Sequence, residues 1–210
     1  MSSLTITHED PFEQYYFKEE EQQICGRPVS PITKNYDENY PSVVDRFFTR
    51  YYYLKTSGGK QAPFQVLYHS NRICLICLAP SHPAFAEGIA SVNFDVGNVD
   101  RSQNVVKGKA KRGGMVLQAD STLALLTTEK GNVYKIPSCI RGKLVEVHTE
   151  LIAQPKLLEQ AEEGAGYFAI LLPKIENCDD IKASLMTHAD YEKYVQETSN
   201  IAVDEAAVAT

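Results

Sequence analysis

Lys107, Lys109 and Lys111 recur at every second position and are followed at once by Arg112. In an extended strand that spacing puts three ammonium groups on one face, with small residues behind them. No acidic residue interrupts the stretch between Asp100 and Asp120. A row of cations of this kind suits an acidic protein surface or a phosphate backbone. Lys109-Ala110-Lys111-Arg112 also resembles a short nuclear-localisation signal. The competing reading is an edge strand whose lysines block pairing with a second sheet.

Lys130 beside Gly131 sits between two strand-like runs, Thr122–Thr127 and Asn132–Ile136. That is a hairpin tip, where a lipoyl or biotinyl carrier exposes its modified lysine, although Lys-Gly is also an ordinary turn pair. Cys74-x-x-Cys77 has the spacing of half a zinc site. It lies in an Ile/Leu-rich run, however, and residues three apart on a strand face opposite ways, so the two sulfurs do not converge. His69-Ser70 and Ser81-His82-Pro83 place serine beside histidine in sequence, whereas catalytic triads converge in space. GxSxG, GxxxxGK[ST] and GxGxxG are all missing. His69, Ser70 and Asn71 read as a turn whose side chains satisfy backbone groups. No enzyme and no bound cofactor or metal is expected.

The elements that must carry these residues are mostly strands. Phe64–His69 and Arg72–Leu78 form a hairpin around Ser70-Asn71, and Ser91–Val96 and Val105–Lys111 alternate. Gly142–Val147 and Tyr167–Leu172 complete the set. Short spacings with no long helix between strands predict antiparallel β-structure. A short helix capped by Ser42 would put Val44, Phe47, Phe48 and Tyr51 on one face, and Lys55–Pro63 reads as a loop around Ser57-Gly58-Gly59. A helix over Leu151–Gln160 is broken by Pro155. Another, Thr187–Thr198, is capped by Thr187 and buries Tyr191, Tyr194 and Val195.

Charge divides the chain. Residues 1–40 hold 3 Lys/Arg against 8 Asp/Glu, a net of −5; residues 41–174 hold 16 against 11, a net of +5; residues 175–210 hold 2 against 8, a net of −6. A basic body between acidic ends points to an acidic partner, while the ends also favour solubility. Residues 1–40 have too few aliphatic side chains to offset ordering entropy, which predicts a disordered acidic arm. A single β-rich domain is expected over residues 41–198 and a disordered tail over 199–210. The polar, acidic start and the five irregularly spaced cysteines predict an intracellular chain with reduced thiols. Aromatics are not interleaved with Lys/Arg as in a base-stacking platform, so nucleic acid is not the expected partner. No apolar run is long enough for membrane insertion.

Two resemblances follow from particular motifs. Gly142-Lys143-Leu144-Val145-Glu146-Val147, then Pro155 and Gly166-Tyr167-Phe168-Ala169-Ile170, resemble the second half of the glycine-cleavage H protein, a lipoyl carrier built as a barrel-sandwich hybrid. Val44-Asp45-Arg46-Phe47-Phe48-Thr49-Arg50-Tyr51, His69-Ser70-Asn71-Arg72-Ile73-Cys74, Ser81-His82-Pro83, Ser138-Cys139-Ile140-Arg141-Gly142-Lys143 and Leu172-Pro173-Lys174 together resemble the Abitram (Simiate) family of actin-binding transcription modulators. The resemblance implies a mostly β, barrel-sandwich hybrid fold with short flanking helices. It implies binding of monomeric and filamentous actin, an influence on actin polymerisation and filopodia, and residence in nuclear speckles as well as cytoplasm and actin-rich projections. It also draws attention to Arg46, Arg50 and Arg141, which its motifs carry, beside Lys107, Lys109, Lys111 and Arg112. Two alternatives stay open: a lipoyl-type carrier using Lys130, and an adaptor in nuclear RNA–protein bodies.

Overall fold

The computed structural model describes residues 22–29, 41–57, 60–97, 99–108, 112–160 and 163–208. The chain divides into two units, Met1–Ser42 and Val43–Thr210. In the first, β1 (Gln22–Ile24) pairs antiparallel with β2 (Arg27–Val29). The two-residue turn between them places Cys25 at φ 50° and Gly26 at φ 72°, the left-handed pair that tight hairpins of the primed type require. This hairpin stands where a disordered arm was expected; the rest of that arm lies outside the described residues.

The second unit opens with α1 (Val43–Phe47), β3 (Phe48–Ser57), β4 (Lys60–His69), β5 (Cys74–Leu78), α2 (Pro83–Glu87) and β6 (Ile89–Asn93). A 3-10 turn at Arg101–Gln103 precedes β7 (Val106–Lys107), β8 (Arg112–Gly113), β9 (Val116–Leu117), β10 (Thr122–Thr128), β11 (Val133–Pro137) and β12 (Gly142–Val147). Then come α3 (Glu150–Ala153), α4 (Leu157–Gln160), β13 (Tyr167–Leu172), a 3-10 turn at Ile175–Asn177, α5 (Cys178–Ser184), β14 (Met186–Thr187) and α6 (His188–Val208).

One sheet runs β14-β3-β4-β5-β13-β12-β9 and a second runs β11-β10-β6, each built from antiparallel neighbours. Phe64, Ile76 and Phe168 from the larger sheet meet Ile89, Leu126 and Ile136 from the smaller in a single buried cluster. The fold is therefore mostly β, a barrel-sandwich arrangement with short helices at its margins, as expected. The break at Pro155 is also found, separating α3 from α4. Thr187 caps α6, its hydroxyl accepting from the Asp190 amide at 3.3 Å.

Four local expectations fail for identifiable reasons. Phe48 and Tyr51 belong to β3, not to a helix, because the helix ends at Phe47 and the run of β-formers Tyr51-Tyr52-Tyr53 pairs with β4 instead. The residues around Lys55–Pro63 are not an open loop: the β3–β4 ladder continues to Ser57↔Lys60. Val105–Lys111 is not one strand. α6 continues to Val208, through most of the expected tail, because Ala202, Glu205, Ala206 and Ala207 favour helix whatever their lack of an apolar face.

His82 shows how tightly the core is sealed. It is 2 % exposed, between the rings of Phe64 and Tyr134 at 5.1 Å each. Its Nδ1 accepts from the Ala84 amide at 3.1 Å and so caps α2, which leaves the proton on Nε2 without a partner. Burial lowers its pKa from 6.5 to about 4 against the pull of the Glu87 carboxylate. In the unfolded chain the ring takes up a proton near pH 6.5; in the folded chain it does so only near pH 4. Stability therefore falls as pH drops through that window, by about 3 kcal/mol at ~1.4 kcal/mol per unit. His82→Asn keeps a capping oxygen and removes the titration. Urea unfolding of that variant should show a visibly flatter loss of stability between pH 6.5 and 4 than the native chain shows.

Candidate functional site

Of the row of cations over residues 107–112, the two ends lie on facing strands. β7 spans two residues and pairs antiparallel with β8 in the register Lys107↔Arg112, so the chain reverses direction between them. Gly108 begins that reversal at φ 68°. Lys109 and Lys111 fall outside the described residues, and of Arg112 only the backbone is described. What alternation could not reveal is that the strand stops at Lys107, with Gly108 in the left-handed region beyond it. The result is a basic hairpin with Lys107 exposed at its end. Its base is fixed to the large sheet by Asn104, which donates to the Leu144 carbonyl at 2.9 Å and accepts from the Met115 amide at 2.8 Å.

Arg50 turns inward. Its Nε and Nη2 hold both oxygens of Glu163 at 2.5 Å each, and its Nη1 reaches Asp45 at 2.5 Å. Gln65 donates to the same Glu163 carboxylate at 2.8 Å. The Tyr52 hydroxyl meets His188 Nδ1 at 3.0 Å, and its ring stacks on Tyr191 at 3.7 Å. This chain of contacts ties β3 and β4 to the segment before β13 and to α6. The hydrogen bond and charge of Arg50 hold the Glu163 carboxyl below its usual range. Arg50 thus acts as a clamp within the fold, its side-chain donors taken by Glu163 and Asp45. Arg46 is exposed and lies over the Phe47 ring at 5.1 Å.

Arg141 is exposed at the entry to β12. It does not pair with Glu146, which instead accepts from the Tyr167 hydroxyl at 3.4 Å. Gly142 follows because a Cβ there would press on the Leu172 carbonyl at 3.3 Å, and this close approach brings Arg141 beside the end of β13. Arg72 stands opposite. It closes the β4–β5 turn at φ 73°, donates its amide to the His69 carbonyl at 2.8 Å, and sends Nη1 to the Pro173 carbonyl at 3.2 Å. With Lys143 and Lys174 these arginines border a groove of about 250 Å3 floored by Val116 and Leu172. Arg72 and Lys174 were not singled out from the sequence. The available signal was that both close motifs already noted, His69-Ser70-Asn71-Arg72 and Leu172-Pro173-Lys174.

The His69-Ser70-Asn71 turn behaves as read. His69 Nδ1 accepts from the Asn71 amide at 3.1 Å and Asn71 Oδ1 from the Ile73 amide at 3.0 Å. Cys74 and Cys77 are both buried but belong to different core clusters, and burial raises both thiols above their ordinary pKa. Lys130 occupies a hairpin tip as expected: the Gly131 amide donates to the Thr128 carbonyl at 2.9 Å, and the exposed Lys130 ammonium reaches the Ala86 carbonyl at 3.5 Å. No group of three or more metal-ligating side chains is found among the described residues. No helix there is long and apolar enough to cross a membrane.

Comparison with known proteins adds to this geometry. Residues 85–198, more than half the chain, match a family model described as "Glycine cleavage H-protein". A curated protein named "Protein Abitram" from Drosophila melanogaster is 70 % identical over 190 residues, covering 90 % of this chain and 87 % of that protein. Proteins of the same name from Homo sapiens and Dictyostelium discoideum are 38 % and 31 % identical, over 76 % and 72 % of this chain and 90 % and 87 % of theirs. A solved glycine cleavage system H protein from Mycobacterium marinum covers 70 % of this chain and 97 % of its own, at 15 % identity and a TM-score of 0.44.

The Arg50 clamp makes a prediction of its own. Glu163→Gln leaves the guanidinium short of a charged partner in a half-buried site, which should cost about 1–3 kcal/mol at neutral pH. Because the native carboxyl titrates below its unfolded value, the pair's contribution is present above the unfolded pKa and lost as pH falls through the folded one. Denaturation of both proteins across that range should show the two stabilities converging at acid pH.

Proposed function

Because the chain belongs to the Abitram family, we propose that it is a non-catalytic protein-binding protein whose partner is actin, as monomer and as filament. It influences actin polymerisation and filopodia, and works both in nuclear bodies linked to transcription, including speckles, and in the cytoplasm and its actin-rich projections. The observation that carries the reading is the outward basic edge of the large sheet. Arg141 is exposed there and Lys107 is exposed on the separate β7–β8 hairpin tied to that edge by Asn104; neither has a carboxylate partner among the described residues. Such an edge favours an acidic protein surface, steering encounter and fixing register. The net of +5 over residues 41–174 supports it.

A second reading is a lipoyl-type carrier with Lys130 as the attachment point. One observation favours it: an exposed lysine at a hairpin tip, within the segment that matches the H-protein family. The protein-binding reading ranks first because the turn around Lys130 is explained by its own hydrogen bonds.

Co-sedimentation with actin filaments tests the first reading. The full chain should pellet with filaments. A variant with Lys107, Lys109, Lys111 and Arg112 changed to Ser should bind about tenfold more weakly at low salt, and the gap should narrow as salt rises. If neither form pellets and neither binds monomeric actin, the actin reading is wrong. Intact mass of the same protein, purified from its native cells, decides the second reading: a lipoyl adduct on Lys130 would put the carrier first.

A further inference from the structure

The groove between β9, the start of β12 and the end of β13 joins the basic edge already described to an apolar surface that the actin reading does not use. Its lining holds four cations from three places in the chain: Arg72, then Arg141 and Lys143 at the start of β12, and Lys174. Against them stands Glu176, which pairs with Lys174 at 3.2 Å, both side chains being largely exposed. Arg141 forms no ion pair among the described residues, and Arg72 spends one donor on the Pro173 carbonyl. The floor, in contrast, is apolar. Val116 is 63 % exposed there, on the end strand of the large sheet, beside the half-buried Leu172.

We propose that this groove docks a short acidic segment of a partner protein, one that carries an apolar side chain between carboxylates. The apolar residue lies on Val116 and Leu172 while flanking Asp or Glu side chains meet the arginine forks. Arginine is suited to this because its planar guanidinium takes a carboxylate through two parallel hydrogen bonds. A nucleic-acid backbone would satisfy the cations but leave the apolar floor uncovered, so the pairing of charge with Val116 favours peptide. The site is also held in place before anything binds. Gly142 packs its backbone against the Leu172 carbonyl, and the Arg72 turn is closed by its own backbone hydrogen bond, so little ordering is left to the binding step.

The groove shares Arg141 and the β9–β12 edge with the actin reading, so the proposal is tested without actin, which keeps its failure distinct from the failure of that reading. A fluorescent synthetic peptide with Asp and Glu around a central Leu pair is titrated into the full chain, with anisotropy as the readout. Two control peptides replace the leucines by Ser, or the acids by Lys. The native chain should bind the acidic Leu peptide at least about tenfold more tightly than either control. Arg141→Ser and Val116→Ser should each weaken binding about tenfold. So should Arg72→Asn, chosen because Asn tolerates the left-handed backbone at that position. Circular dichroism and melting temperature show whether each variant is still folded, so a loss counts only in a folded variant. Equal affinity for the Leu and Ser peptides, or unchanged binding in all three variants, overturns the proposal. So does displacement of the peptide by a single-stranded oligonucleotide at equal potency, which would make the groove a polyanion site. Competition by a synthetic copy of residues 1–40 stronger than the designed peptide would also overturn it, making the chain's own acidic arm the occupant.

Discussion

The strand Tyr167–Leu172 is hydrogen-bonded on both sides, to Cys74–Leu78 on one edge and to Gly142–Val147 on the other. Phe168, Ala169 and Leu171 are fully buried. A strand in that position satisfies its backbone only if both neighbours hold register, since a one-residue slip would turn Phe168 and its partners out of the core. It joins the hairpin built from residues 48–78 to the part of the chain that matches the H-protein family. Its C-terminal end decides where the surface cations stand. A Cβ at Gly142 would crowd the Leu172 carbonyl at 3.3 Å, and beside this close approach Arg141 and Arg72 line the same groove.

The basic side chains consequently divide into two sets. Arg50 is consumed by Asp45 and Glu163 and acts as a tie between β3 and the segment before β13. Because that pair is part-buried and bidentate, it contributes more than an ordinary surface ion pair. Lys107 and Arg141 face outward on the β9–β12 side. Arginine, in motifs that look alike in sequence, is thus tied into the architecture at position 50 and left exposed at position 141. The difference lies in whether a carboxylate folds onto it from more than a hundred residues away.

Much of the architecture was legible. The strands at 64–69, 74–78, 122–128, 133–137, 142–147 and 167–172, the Pro155 break, the Thr187 cap and the Lys130 hairpin follow from local rules of alternation, proline geometry and turn chemistry. The opposed faces of Cys74 and Cys77 were legible for the same reason. The failures share a cause, which is that tertiary pairing overrides local preference. Phe48 and Tyr51 fit a helical face equally well, and the β4 partner decides against it. Val105–Lys111 alternates, yet the strand stops at Lys107 and β7 pairs antiparallel with β8. The groove was not legible, because its four cations come from β5's approach, β12 and the end of β13, and sequence does not show that Gly142 and Leu172 meet. Partial sight of it came only through Arg141, inside a motif singled out for another reason.

The proposal that the β9–β12 edge, with its basic hairpin, is the face this chain presents to actin is tested most directly by hydrogen–deuterium exchange. The full chain would be labelled alone and with saturating monomeric actin. The account predicts added protection over the hairpin and the adjoining edge, residues 106–117 and 141–144, with the Lys130 hairpin unchanged. Protection confined to the Lys130 hairpin, or none anywhere in the chain, would contradict it.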